Sequence, residues 1–196
     1  MSRRSAFISN KQITTLIIGL IWLFIIWIGN NQGWFDKPAK SFQQNNPGLY
    51  SVSKFVDGDT IEVNMNGHNE KVRLIGVDTP ETHKPNTPVQ CYGPAAAAFT
   101  KRSLENKQFR LVSDELTTDR DKYGRLLRYI YLQDNINFNQ TIISNGYGFY
   151  YPYFPFTKKT DFASAQDKAK LNNLGLWGNC SPTPTDKGGW VSNPAQ

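Results

Sequence analysis

The sequence predicts an α+β domain of five strands and three helices, with the strands able to close a small barrel, placed behind one membrane-spanning helix. Three observations carry this reading. One long uncharged apolar stretch lies near the N-terminus. Alternating apolar runs between residues 49 and 77 are separated by the turn signals "DGD" and "NGHN". An alanine-rich helical segment falls between the third and fourth strand candidates.

Residues 1–12 form a short basic tail carrying Arg3, Arg4 and Lys11. The uncharged segment 13–35 follows, with "ITTLIIGLIWLFIIWIG" at its centre and Trp34 and Phe35 as interfacial aromatics. Cations ahead of the segment favour a cytoplasmic N-terminus and an exported C-terminal domain, hence single-pass attachment to the cell membrane. The alternative is secretion after signal cleavage, but "WIGNNQGW" offers no A-x-A cleavage pattern. Residues 36–48 are polar and apolar-poor, a linker.

Within the domain expected over 49–180, "LYSVSKFV", "TIEVNM" and "EKVRLIGV" are strands, and "GPAAAAFTKRSLENK" is a helix with Pro94 in its first turn. "QFRLVS" and "RLLRYIYL" are the fourth and fifth strands, flanking "DELTTDRDKYG". "NFNQTIISNG" and "TDFASAQDKAKLNNLG" complete the helices, with Gly146 and Gly175 as stops. The last stretch, 181–196, lacks periodicity and is expected to be a flexible tail.

A net charge of +6 suggests a polyanion partner, but its distribution weakens that argument. Arg3, Arg4, Lys11, Lys37 and Lys40 against Asp36 leave 17 basic and 15 acidic residues for the remainder. Phosphate affinity must therefore come from a few placed cations rather than from a general field. Composition shows no internal repeat and no low-complexity tract. The cysteines, Cys91 and Cys180, suit an exported domain. Joined, they would close a loop of 89 residues, worth about 4–5 kcal/mol in the chain-entropy model. Two inert thiols are the other reading, and a zinc site is not indicated.

Strand parity gives Asp59 the same side as Ile61 and Val63, and Arg73 the same side as Ile75 and Val77, while Asp78 leaves its strand where Pro80 forces a turn. Antiparallel pairing through "NGHN" brings Asp59 and Asp78 to one edge. Two adjacent carboxylates repel unless a proton or cation intervenes, so a hard divalent ion suits them, with the Thr79 carbonyl and water completing the shell. Calcium's flexible coordination fits such a sparse oxygen site better than magnesium's strict octahedron. His83 lies beyond the turn without a partner and reads as a surface histidine; His68 sits in a hairpin turn.

Together, "VDGDTIEV", "VRLIGVDTPET", "CYGPAAAAFTK" and "DKYGRLLRYIY" resemble the thermonuclease (staphylococcal nuclease-like) family, in order and from about Tyr50 to Trp177. The resemblance implies a five-stranded Greek-key OB-fold barrel with three helices. It also implies a calcium-dependent phosphodiesterase acting on DNA and RNA and leaving 3′-phosphate ends. By matching motif, Asp59, Asp78 and the Thr79 carbonyl would hold Ca2+, and Glu81 would act as general base. Arg73 and Arg125 would grip the phosphate, with Lys122 and Tyr123 contacting the nucleotide.

Two departures stand out. "HKPNTPVQCYGP" lacks several lysines and a glutamate found in the family's best-known member, including at Gln90 and Cys91. "GYGFYYPYFPF" replaces the segment that places two tyrosines on the substrate base; gapless alignment sets Pro152 and Phe154 there, and a one-residue shift sets Tyr151 and Tyr153. Tyr153 is taken as the substrate-stacking candidate. The expectation is a membrane-anchored, calcium-dependent endonuclease, monomeric and without an inferable protein partner. The alternative is a non-catalytic OB-fold module binding nucleic acid or a protein.

Overall fold

A computed structural model describes residues 48–83 and 87–195. The expected membrane helix over 13–35 and most of the linker lie outside these residues. Among the described residues no helix is long and apolar enough to cross a membrane.

The first strand candidate becomes two pieces, β1 (Leu49–Tyr50) and β2 (Val52–Asp57). They are separated only by Ser51, yet β1 pairs with β6 (Phe109–Val112) and β2 with β3 (Thr60–Met65). One bent segment thus supplies both edges of the sheet, which curls on itself in the order β1-β6-β7-β4-β3-β2. Five chain segments make the curled sheet, as the patterning predicts, and its form is OB-fold-like, as the family resemblance implies. β3 and β4 (His68–Leu74) form a hairpin whose turn residues, Asn66 and Gly67, both have positive φ, 56° and 87°. Asn-Gly is the sequence that tolerates this geometry with least strain. β4 runs parallel to β7 (Leu126–Tyr131). β6 and β7 are antiparallel.

The third strand candidate does not run through to Val77. Gly76 breaks it at φ 71°, and the chain restarts as β5 (Val77–Asp78), paired with β8 (Phe149–Tyr150). The parity argument for Arg73 is corrected here. Val72 and Leu74 point into the barrel, so Arg73 lies on the other face, its Cα partner being Thr60. It is nonetheless well covered, by acidic neighbours rather than by the core.

Helix α1 (Gly93–Leu104) has Pro94 in its first turn, α2 (Phe138–Ser144) is capped by the Asn137 side chain accepting from Gln140 N–H at 3.1 Å, and α3 (Lys159–Leu171) carries Phe162 and Ala165 inward. Ile61, Val63, Val72, Leu74, Phe109 and Ile130 from the sheet meet Phe138, Ile142 and Phe162 from the helices in one apolar core. Asn139 lies fully inside it. Its Oδ1 accepts from Ile130 N–H (2.9 Å), and its Nδ2 donates to the carbonyls of Ile75 (3.0 Å) and Arg128 (3.2 Å). It thereby satisfies backbone groups where β4 and β7 part.

The expected flexible tail is instead folded. After the short α4 (Leu176–Asn179), β9 (Thr183–Pro184) and β10 (Trp190–Val191) pair as a hairpin. Trp190 packs edge-on against Trp177 at 5.1 Å, with the Lys170 ammonium 4.1 Å from its ring centroid. Apolar and cation–π contact thus dock a segment that has no periodicity of its own. Cys91 and Cys180 form a disulfide, Cα atoms 5.9 Å apart.

Candidate active site

The "DGD" turn between β2 and β3 makes a close approach to the "DTP" strand exit. A Cβ on Gly58 would lie 2.8 Å from the Thr79 hydroxyl, so only glycine lets the two segments meet. From α1, the Thr100 hydroxyl donates to the Gly58 carbonyl at 2.5 Å, supporting the turn from below. As a result Asp59 Oδ2 accepts from both the Thr79 N–H (2.9 Å) and the Thr79 hydroxyl (3.1 Å), while its Oδ1 accepts from the Thr60 hydroxyl (2.9 Å).

Arg73 joins the two aspartates. Its Nη1 lies 2.7 Å from Asp59 Oδ2, a close ion pair though not aligned as a hydrogen bond. Its Nη2 donates to Asp78 Oδ1 at 3.0 Å. Asp59 and Asp78 therefore come together at one edge of the hairpin, with Arg73 between them. Around them opens a cleft of about 470 Å³, bordered also by Asp57, Lys71, Thr79, Glu81, Tyr123 and Arg125. His83 is exposed at the same rim, its Nδ1 2.6 Å from the Thr82 hydroxyl.

Asp57 was not singled out in the sequence, although it is the first acid of "DGD". It accepts from Gly58 N–H (2.8 Å) and the Thr82 hydroxyl (3.0 Å). Desolvation, followed by the charges of Asp59 and Glu81, raises its pKa to about 6 against those hydrogen bonds. Asp78 keeps 41% of its side chain open, yet the surrounding protein desolvates it. Its pKa also rises to about 6, with Arg73 opposing and Asp59 and Glu81 reinforcing. The Arg73 guanidinium is desolvated too, but Asp59 and Asp78 outweigh that and raise its pKa.

Arg125 is presented by a tight turn. Asp121 Oδ1 accepts from the N–H groups of Tyr123 (2.9 Å) and Arg125 (3.0 Å), and its Oδ2 takes the Arg125 Nε (2.7 Å) and Nη2 (2.6 Å). Burial opposes ionisation of Asp121, but the hydrogen bonds from Arg125 and Tyr123 hold its pKa below the usual carboxylate range. The exposed Tyr123 ring stacks under both cations: the Arg125 guanidinium carbon is 5.4 Å from its centroid and the Lys122 ammonium 5.0 Å. The turn itself is moored by Arg120, whose Nη1 and Nη2 fork onto Glu70 of β4 at 2.8 and 3.0 Å. The sequence signals neither Asp121 nor the Arg120–Glu70 pair as parts of a site.

A second cleft of about 390 Å³ shares Arg73, Asp78, Tyr123 and Arg125 with the first and is lined by Leu116, Lys122, Tyr151 and Phe154. Tyr151 comes from one alignment register and Phe154 from the other, because the chain bends between them. Tyr153 borders neither cleft; its hydroxyl lies 2.6 Å from the Thr185 hydroxyl of the C-terminal hairpin.

Among the described residues no three carboxylate, imidazole or thiolate side chains form a ready metal cage. The first cleft nonetheless gathers four carboxylates, of Asp57, Asp59, Asp78 and Glu81, against Lys71, Arg73 and Arg125, the last already paired to Asp121. Desolvation first, and then the neighbouring carboxylates, raise the pKa values of Asp57 and Asp78 there. A hard divalent cation bound through oxygen fits that chemistry.

Residues 71–179 match the family model described as "Staphylococcal nuclease homologue". The chain is 41% identical to the thermonuclease of Staphylococcus intermedius over 172 residues, covering 85% of this chain and 98% of that protein. It is 37% identical to the thermonuclease of Staphylococcus hyicus over 175 residues, 86% and 99% of the two chains. To the endonuclease YncB of Bacillus subtilis (strain 168) it is 38% identical over 162 residues, 81% and 72% respectively. With these matches spanning the barrel, both clefts and the helices that support them, the chain belongs to the staphylococcal nuclease homologue (thermonuclease-like) family.

Proposed function

We propose that this chain, a phosphodiester hydrolase of the nuclease class, is a calcium-dependent endonuclease cutting DNA and RNA to leave 3′-phosphate ends. Asp59, Asp78 and the Thr79 carbonyl are the ligands assigned to Ca2+, which when bound supplies positive charge to the phosphodiester and neutralises the acidic cleft. Glu81 takes the proton of the attacking water. Arg73 and Arg125 stabilise charge developing on the phosphoryl oxygens, a task for which a planar fork suits better than an ammonium.

Support for these roles comes from the convergence of both guanidiniums and the acids on one cleft. Arg73 pairs with both Asp59 and Asp78, so its guanidinium stands beside the residues that would hold the cation. The adjoining cleft lined by Tyr123, Tyr151 and Phe154 offers aromatic faces to a base next to that phosphate, a sequence-tolerant contact worth about 1–3 kcal/mol per base. Tyr151 is the stronger stacking candidate, and Tyr153 an outer one.

The apolar segment 13–35 supports a membrane-anchored protein with an extracytoplasmic nuclease domain, secretion after cleavage being the alternative. A site whose residues all come from one chain supports monomeric action.

The single observation carrying the proposal is the Asp59–Arg73–Asp78 ion-pair chain at the mouth of a cleft that also holds Glu81 and Arg125. Purified protein should degrade single-stranded DNA and RNA in calcium and stop on chelation. Glu81→Gln should lower kcat about 10²–10⁴-fold. Arg125→Ala should lower kcat/KM about 10²–10³-fold. A folded protein inert toward both polymers in calcium, but still retaining them on a filter, would instead establish the non-catalytic binding module.

A further inference from the structure

Glu81 is held by its backbone, and one residue holds both of its polar groups. The Gln90 side chain Oε1 accepts the Glu81 N–H at 2.7 Å, and the Gln90 N–H donates to the Glu81 carbonyl at 2.9 Å. A side chain and a main chain from the same residue thus hold the two peptide units that flank the Glu81 Cα. Rotation about either bond would break one contact, so the direction in which Glu81 leaves the backbone is fixed. Gly93 packs beneath: a Cβ there would come within 2.8 Å of the Glu81 carbonyl oxygen.

Gln90 is itself gripped from its other side by the C-terminal segment. Ala195 N–H donates to the Val89 carbonyl (2.8 Å), Cys91 N–H to the Asn193 carbonyl (2.8 Å), and the Ser192 hydroxyl to the Cys91 carbonyl (2.9 Å). Gln90 and Pro194 face each other across this antiparallel contact. The disulfide anchors Cys91 to Cys180, and Ser181 N–H donates to the Asn193 Oδ1 at 2.8 Å, so the tail and the cystine form one clasp. The strip 89–91 is the middle layer between the tail and Glu81.

We infer that Gln90 is a positioning residue for Glu81, and that the Cys91–Cys180 disulfide with the docked tail holds Gln90 in register, making the C-terminal segment part of the active-site scaffold. This rests on Glu81 being the base, as proposed above. Only an acceptor is required of the Gln90 side chain. Glutamate at the same reach can therefore replace it, whereas alanine or the shorter asparagine cannot.

The test uses the full oxidised chain, cleaving a short single-stranded DNA in calcium, and hydrogen–deuterium exchange of the peptide spanning 79–83 without metal. Gln90→Ala should lower kcat about 10- to 100-fold with KM unchanged within about twofold. It should also accelerate exchange at 79–83 by about tenfold or more. Gln90→Glu should restore kcat to within about threefold of the parent, a recovery that bulk destabilisation would not give. Adding Gln90→Ala to Glu81→Gln should cost nothing further, because Gln90 acts only through Glu81. Cys91→Ser with Cys180→Ser should speed exchange at 79–83 and lower kcat in the same direction.

If Gln90→Ala does not fold, Gln90→Asn carries the same expectations. Parental kcat in Gln90→Ala or Gln90→Asn, beside a slow Glu81→Gln, overturns the positioning role while leaving the base assignment standing. Parental kcat in Glu81→Gln removes the base assignment and this inference with it. Parental exchange and kcat in the double serine variant overturn the clasp.

Discussion

Arg73 stands at an unusual place for a guanidinium, on the outer face of a barrel strand with only 13% of its side chain exposed. What keeps it there is the acid on either side, and removal of its charge would leave Asp59 and Asp78 to repel each other. Arg73→Lys preserves the charge but not the fork that reaches both carboxylates and that the proposed function aims at the phosphate. We expect kcat/KM to fall about 10²-fold while the fold survives, checked by steady-state cleavage beside circular dichroism. Asp57 and Asp78 give the stability curve a sign. Asp57 and Asp78 titrate near 6 in the folded chain against about 4 when unfolded, so the folded state binds more protons between those values. Stability should therefore fall as pH rises from about 4 to 6. In urea titrations across that range, Asp57→Asn should flatten the slope.

The elements that present these residues are held less by their own propensities than by clamps between them. Asp114, at the head of the loop leading to Asp121, accepts from the Leu116 N–H (2.8 Å), the Tyr129 hydroxyl (2.8 Å) and the Thr157 N–H (2.8 Å), tying loop, β7 and the approach to α3. Burial works against its charge, but these bonds prevail and hold its pKa below the usual range. Its contribution is present above about pH 4 and disappears as pH falls through the depressed folded value. Asp114→Ala should cost about 3 kcal/mol at neutral pH by urea unfolding, the worth of about three hydrogen bonds, with the deficit narrowing in stronger acid. On the opposite side of the site, Gly76 ends β4 at φ 71°, and a Cβ would come within 2.6 Å of the Phe156 ring. Its carbonyl also accepts the Tyr151 N–H at 2.9 Å. Gly76→Ala should destabilise by about 2–4 kcal/mol through overpacking and φ strain, and should weaken cleavage as well, because Asp78 follows two residues on.

Across the whole molecule, one bent segment closes the sheet, and one cystine joins the start of α1 to the end of α4. That crosslink spans 89 residues and restricts the unfolded chain far more than the folded one. Reduction should lower stability by about 2–5 kcal/mol, visible as a lower urea midpoint in reductant.

By itself the sequence determined the five barrel segments, though not where two of them break, the three helices, the hairpin turn and the approach of Asp59 to Asp78. Each of these depends on local period, turn chemistry or a spaced motif. Gly76 and Asn66–Gly67 also act through their own φ values. The tertiary structure alone decided which face Arg73 occupies, that Tyr151 and Phe154 share a cleft while Tyr153 turns to the tail, and that residues 181–195 fold. It also decided that Asp57 and Gln90 stand behind the site. Their partners lie 25 residues away for Thr82, and more than 100 along the chain for the tail that holds the Gln90 strip. No periodicity records such a contact: the energy that selects it comes from burial and hydrogen bonding that exist only once the barrel has closed.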